Sequence, residues 1–490
     1  MTQTSSIAQR VGCGLGWSTT SNLVIRIGNF TMSLIMARLI APDQFGVFAV
    51  ALTTWSILGT LAEFGLGTDL VRARDFSGRA PTVASVGLIT SGLLALSMAI
   101  AAGPIAAAFN SPESAPVIQV MAISLLIFGF SIVPAAYLQR EIRQRTLFAV
   151  NGCGLIMSGV TMSTFALLGY GPMALALGQV ASQLAIVVGL YVTTRLPFKL
   201  AFDSEIAKES VRFCLPLAAA NLLSWLLLSI DNLVVSRMLG PTQLGLYALA
   251  FNISSWPMNA IGQSIRVVAL PAFSRLDSPA RRGRALVTAN GPLWAVSLMM
   301  GIVLATLAGP IVVLLYGERW AGAAVALVGL ALFGALRVVF DLVATFLIAV
   351  GATRAVLAVQ IWWLITMVPT MWLAIEWFGL AGAGWAHLIV GLLFVLPAYL
   401  YCLKRVEVKP LALVRAWIIP TICIIPTALA CGLIAQTTYR PLARLVLGGL
   451  SALLLYAAPL ARWWTARIKE LQSGAAEGSA LNMNEVSHDQ

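Results

Sequence analysis

The sequence predicts an all-α integral membrane protein of about 14 transmembrane helices. They are expected as two parallel six-helix lobes around a central cavity, with two extra C-terminal helices. Three observations carry this. Apolar stretches of bilayer length follow one another, the Lys and Arg fall in alternate loops, and a stretch of the first loop recurs further along the chain. Composition sets the class, because 59% of the 490 residues are hydrophobic and 10% charged, with mean hydropathy +0.89. A soluble domain carries about 25% charged residues.

A hydrocarbon core of about 30 Å takes roughly 20 apolar residues per helix. Six such spans fall at 14–37, 45–66, 83–108, 116–138, 149–169 and 172–193, the last two parted only by Gly169-Tyr170-Gly171-Pro172. Six more fall at 213–236, 245–268, 288–315, 322–349, 355–376 and 379–402, and two at 416–435 and 442–461. These are spans 1 to 14 in chain order. No cleavable signal peptide is expected, because the first apolar stretch is too long and precedes no hydrophilic domain.

The net charge of +12 is distributed by topology. With the N-terminus placed in the cytoplasm, cytoplasmic segments hold 23 of the 31 Lys and Arg. The opposite side holds 5 (Arg38, Arg237, Arg319, Arg440 and Arg444), and the spans hold Arg26, Arg266 and Arg337. An even number of spans with both termini inside produces that asymmetry. The basic charge therefore argues for membrane lipids as contacts and against a nucleic-acid partner.

The recurring stretch is Arg38-Leu39-Ile40-Ala41-Pro42-Asp43-Gln44-Phe45-Gly46-Val47-Phe48-Ala49. At an offset of 199 it meets Arg237-Met238-Leu239-Gly240-Pro241-Thr242-Gln243-Leu244-Gly245-Leu246-Tyr247-Ala248. The same offset sets Asn22 against Asn221. Each copy joins the first helix of a lobe to its second by a turn, with Pro setting φ and Gly allowing close approach. Six spans separate the copies, so the repeat is parallel about an axis along the membrane normal. The lobes are expected at 1–203 and 204–405, the added helices at 406–470, and a disordered cytoplasmic tail at 471–490. No loop has room for a catalytic domain. Two parallel six-helix lobes form a transporter architecture.

The turn Ala37-Arg38-Leu39-Ile40-Ala41-Pro42-Asp43-Gln44-Phe45-Gly46 resembles the first loop of the polysaccharide transporter family, within the multidrug/oligosaccharidyl-lipid/polysaccharide exporter superfamily. Asp231-Asn232-Leu233-Val234-Val235, Pro271-Ala272-Phe273-Ser274-Arg275-Leu276 and Tyr316-Gly317-Glu318-Arg319-Trp320 resemble later segments of that family, in the same order. The resemblance implies a flippase for undecaprenyl-pyrophosphate-linked oligosaccharides in lipopolysaccharide, capsule or exopolysaccharide assembly. It places the chain in a bacterial inner membrane. A polysaccharide polymerase and glycosyltransferases are the candidate protein partners.

Such a substrate needs cations for its pyrophosphate and polar side chains for its sugars. An arginine at a span centre costs at least about 2.5–3.5 kcal/mol, so each one needs a reason. Arg26 shares a face of span 1 with Asn22 and Asn29 and can grip a phosphate through two parallel hydrogen bonds. The plainer alternative is a packing arginine ringed by carbonyls and Asn side chains. Arg337 in span 10 has Asp341 four residues on, so substrate contact competes with an internal ion pair. Arg266, nearer the end of span 8, either binds substrate or snorkels. Asn221 joins the substrate-binding set with Asn22 and Asn29.

Asp231 and Asp341 are the coupling or gating candidates. Asp231 either titrates as an H⁺ or Na⁺ site or pairs with an arginine such as Arg38. No other cofactor is expected. The phosphate-loop pattern is absent, and the six cysteines lack metal-ligand spacing. A cation-coupled multidrug antiporter on the same scaffold is the alternative, but three span arginines against two span acids favour an anionic cargo.

Overall fold

The computed structural model describes residues 24–63, 65–258, 269, 273–274, 278–437, 440–461 and 463–465. Two sequence candidates, Asn22 and Arg266, lie outside the described residues. Everything regular among the described residues is helical. Ten of the helices are long and apolar enough to cross a membrane. The helix over 24–39 falls in span 1, the helical run Ser204–Ser254 covers span 7 and the start of span 8, and the run Thr353–Arg405 covers spans 11 and 12. Together these accommodate the fourteen spans read from the sequence.

The two long helices show why glycine parts neighbouring spans. A straight helix of 51 residues would run about 77 Å at 1.5 Å per residue, more than twice the hydrocarbon thickness. It is broken at Gly240, where φ is 80° and ψ 177°. The second is broken at Gly379, with φ 55° and ψ −135°. Glycine enters positive φ at no steric cost, so the chain turns back there. Proline marks other starts: Pro42, Pro172, Pro279, Pro410 and Pro441 all stand in the first turn of a helix. In the first copy of the repeat, Pro42 therefore opens span 2 and the turn lies before it.

Internal contacts divide the chain into two compact units, Met1–Gly245 and Leu246–Gln490. Span 7 packs with the first six spans in this division, whereas the sequence repeat sets span 7 against span 1. In the first unit Leu66, Leu70, Val83, Ile132, Ala136 and Cys214 form a core cluster. In the second, Ala295 and Leu298 of span 9 pack with Ile424 of span 13 and with Tyr456 and Leu460 of span 14. The Tyr456 hydroxyl donates to the Ala295 carbonyl at 2.9 Å, joining span 14 to span 9. Leu429, Leu433 and Leu454 of spans 13 and 14 point outward and stay exposed, as a lipid-facing surface requires.

Candidate functional site

In the first unit the site is a seam along which span 7 runs beside spans 2 and 3. Span 7 starts where Asp203 caps its helix, Oδ1 accepting from the backbone N–H groups of Glu205 and Ile206 at 2.9 and 3.2 Å. About two turns beyond this cap, Ser210 Oγ donates to Asp69 Oδ2 at 2.8 Å. Arg79 closes the group, with Nη2 3.3 Å from Asp69 Oδ2 and Nη1 3.0 Å from Glu209 Oε2. Glu209 is 70% exposed, so water screens its arm and that pair is worth about 0–1 kcal/mol. Asp69 is 12% exposed, and the Arg79–Asp69–Ser210 triangle therefore holds the joint.

About one turn before the far end of the seam, Asn232 Nδ2 donates to Thr53 Oγ1 of span 2 at 3.0 Å. Asp231 beside it is 2% exposed, and its Oδ1 accepts from the Asn232 backbone N–H at 2.8 Å. At the far end Ser236 Oγ donates to the Phe109 carbonyl at 2.6 Å, and Arg237 Nη1 donates to the Ala108 carbonyl at 3.2 Å. Polar contacts thus fasten the helix of span 7 near its start and along its last two turns.

Beyond Arg237 the two copies of the repeat meet. A Cβ placed on Gly46 would strike the Pro241 carbonyl and approach the Gly245 nitrogen. One placed on Gly245 would strike the Pro42 carbonyl and approach the Gly46 nitrogen. Adding 199 to Pro42 and Gly46 gives Pro241 and Gly245, so the contact maps onto itself when the copies exchange. The close approach expected of each glycine has the other copy as its partner.

The remaining candidates of the first unit sit apart from this contact. Arg26 is half-buried, while Asn29 and Asn221 are exposed. On span 1, Gly28 and Met32 face span 5, since a Cβ on Gly28 would meet Leu155 and Met32 lies against Gly159. Arg26 is two residues, about 200°, around the helix from Gly28. Its face is therefore turned from the span 5 contact.

In the second unit Arg337 is half-buried, its Cζ 5.9 Å from the centre of the Phe251 ring. Asp341, one turn on, is 8% exposed. Phe251 lies 6.0 Å from the His387 ring, and His387 Nε2 is hydrogen-bonded to the Tyr247 hydroxyl at 2.7 Å. The Phe333 ring is 5.1 Å from that of His387. Small residues draw these helices together. The Cβ of a residue at Gly329 would collide with the backbone of Gly384, and one at Gly334 with the Ser254 carbonyl. Phe333, Arg337 and Asp341 stand at four-residue steps on span 10 and share one face. That spacing was a readable signal for Phe333, whereas Tyr247 and Phe251 look like ordinary core.

The chain matches the family described as Polysaccharide biosynthesis protein over residues 35–325. Over 316 residues it is 26% identical to the Succinoglycan biosynthesis transport protein ExoT of Rhizobium meliloti (strain 1021). That alignment covers 64% of either protein, a little under two thirds of the relative's length. Over 412 residues it is 22% identical to the Lipopolysaccharide biosynthesis protein WzxC of Escherichia coli (strain K12), covering 82% of each. The structure resembles Lipid II flippase MurJ in an inward closed conformation with a TM-score of 0.76 and 13% identity, covering 91% of this chain and 99% of that one. At that identity the likeness is one of fold. With more than half of its length matched, this multi-pass membrane chain belongs to the polysaccharide biosynthesis protein family.

Proposed function

We propose that the protein is a flippase for undecaprenyl-pyrophosphate-linked oligosaccharides, a transporter rather than an enzyme, acting by alternating access in surface-polysaccharide assembly. The carrying observation is the pair of half-buried guanidinium groups, Arg26 and Arg337, within spans of an otherwise weakly charged interior. A fixed cation inside a span is costly, and an anionic pyrophosphate gives it a use. The same sign disfavours a cationic drug as cargo. Family membership supports the reading, as do the printed names of ExoT as a transport protein and WzxC as a lipopolysaccharide biosynthesis protein. The charge asymmetry supports an inner-membrane position with both termini cytoplasmic. A polymerase and glycosyltransferases are the natural neighbours of such a step.

The test is reconstitution. Purified protein in vesicles is expected to carry a lipid-linked oligosaccharide between leaflets, read by access of an external lectin, and to leave ethidium where it was loaded. Ethidium movement without glycan transfer would replace this reading with the drug antiporter.

Asp231 serves in this reading as a seam residue of span 7. Asp231→Asn keeps an oxygen to accept the Asn232 N–H, so its transport rate is expected to retain the wild-type pH and Na⁺ profile in the same vesicles. A profile flattened by this substitution would make Asp231 the coupling site.

A further inference from the structure

At the end of the second unit assigned to the cytoplasm by charge, spans 9 and 13 leave a hollow of about 310 Å³. Ala412, Arg415 and Ala416 form one stripe at the start of the helix Pro410–Ala435, which carries span 13, and line the hollow with Thr288 and Gly291 of span 9 and with Lys409. The hollow is cationic without compensation. Lys409 and Arg415 line it and no carboxylate does. Glu407, the acid closest in sequence, is exposed and lies off the lining. Neither basic side chain has an ion-pair or hydrogen-bond partner among the described residues.

The walls suit a lipid. Gly291, Ala412 and Ala416 are small, so the helices part into a groove. Trp463 packs at its edge, where a Cβ on Gly291 would come within 3.2 Å of the indole ring. A tryptophan at this level marks the headgroup region of a bilayer. Basic hollows between helices on the cytoplasmic side are suited to anionic headgroups.

We propose that this hollow binds the headgroup phosphate of an anionic membrane phospholipid, held between Lys409 and Arg415 with an acyl chain along the groove. Two cations without a carboxylate select a net negative headgroup. A zwitterionic headgroup would bring its own ammonium into the same space. The bound lipid would fasten span 13, which lies outside the repeat, to span 9 inside it. None of the residues lining the hollow is a candidate transport residue, so the proposal stands or falls independently of the flippase reading.

The test is native mass spectrometry of the full-length protein in detergent, titrated separately with phosphatidylglycerol, phosphatidylcholine and undecaprenyl pyrophosphate. The wild type is expected to retain phosphatidylglycerol over phosphatidylcholine. The Lys409→Gln/Arg415→Gln double variant is expected to hold it about 25-fold more weakly, roughly fivefold for each cation. Lys409→Arg/Arg415→Lys should bind as the wild type does. If the double variant melts early without lipid, the two single Gln variants carry the comparison, each expected about fivefold weaker. Equal retention of phosphatidylglycerol by wild type and the Gln variants would overturn the site. Binding of undecaprenyl pyrophosphate that depends on Lys409 and Arg415 and resists competition by phosphatidylglycerol would also overturn it, by making the hollow a substrate port.

Discussion

Gly46→Val or Gly245→Val is expected to abolish polysaccharide export in a chain that still reaches the membrane. A side chain at either position runs into a backbone carbonyl, Pro241 for one and Pro42 for the other. A carbonyl held in the first turn of a helix cannot rotate aside as a side chain can. Two effects oppose each other in the milder Gly46→Ala. Alanine favours a helix over glycine by about 1 kcal/mol, while forced overpacking costs about 1–3 kcal/mol. The collision wins because the obstacle is main chain, and valine adds two more methyl groups to it. The double variant Gly46→Ala/Gly245→Ala should cost less than the two single losses added, since both strain one contact. Export in a complemented deletion strain, with protein level measured in the membrane fraction, decides this. Wild-type export by a normally inserted Gly46→Val chain would show that this contact is never required closed.

Arg26→Ala is expected to abolish or strongly depress export at normal protein level. The face of span 1 bearing Arg26 is turned from the packing of Gly28 and Met32 on span 5, so truncation should leave that joint intact. A charge-assisted hydrogen bond is worth about 1.5–3 kcal/mol, which corresponds to roughly a 10- to 150-fold loss in transport at limiting substrate. Arg26→Lys should recover part of it, because a point charge replaces a planar fork. Arg337→Ala should differ in kind. It removes the cation one turn from buried Asp341 and empties the space above Phe251, so a fall in protein level is expected with the fall in export. Near-normal export by well-expressed Arg26→Ala would move the pyrophosphate contact to another cation.

Local rules made the helices legible. Apolar runs of bilayer length, proline at helix starts and glycine at the breaks act within a few residues, and Gly240 and Gly379 part spans where a straight helix would overrun the bilayer. The repeat was legible too, as a spacing, though what Gly46 touches was not. Its partner lies 199 residues away, and no local pattern encodes a contact at that distance. Arg79, Asp69 and Glu209 show the same limit. Each sits near a loop, where a charge reads as a topology marker, and only the fold brings them together. Among the candidate residues, the sequence singled out Arg337 and Asp341 because charge in a span is rare. It passed over Tyr247 and Phe251, because aromatic residues in an apolar helix are indistinguishable from core until their neighbours are known.

The contact of Gly46 and Gly245 has the form of an isologous interface drawn inside one polypeptide: each half offers the patch that the other half offers back. A copy of this turn is self-complementary at that point, the property that a pair of identical subunits uses to associate. Within one chain each copy is free to drift elsewhere, but the two are tied together here. A bulkier residue gained in one half is obstructed by the other half's carbonyl, and no further change of side chain in that other half removes the obstruction. The two glycines are therefore expected to be kept or lost together over the history of the chain.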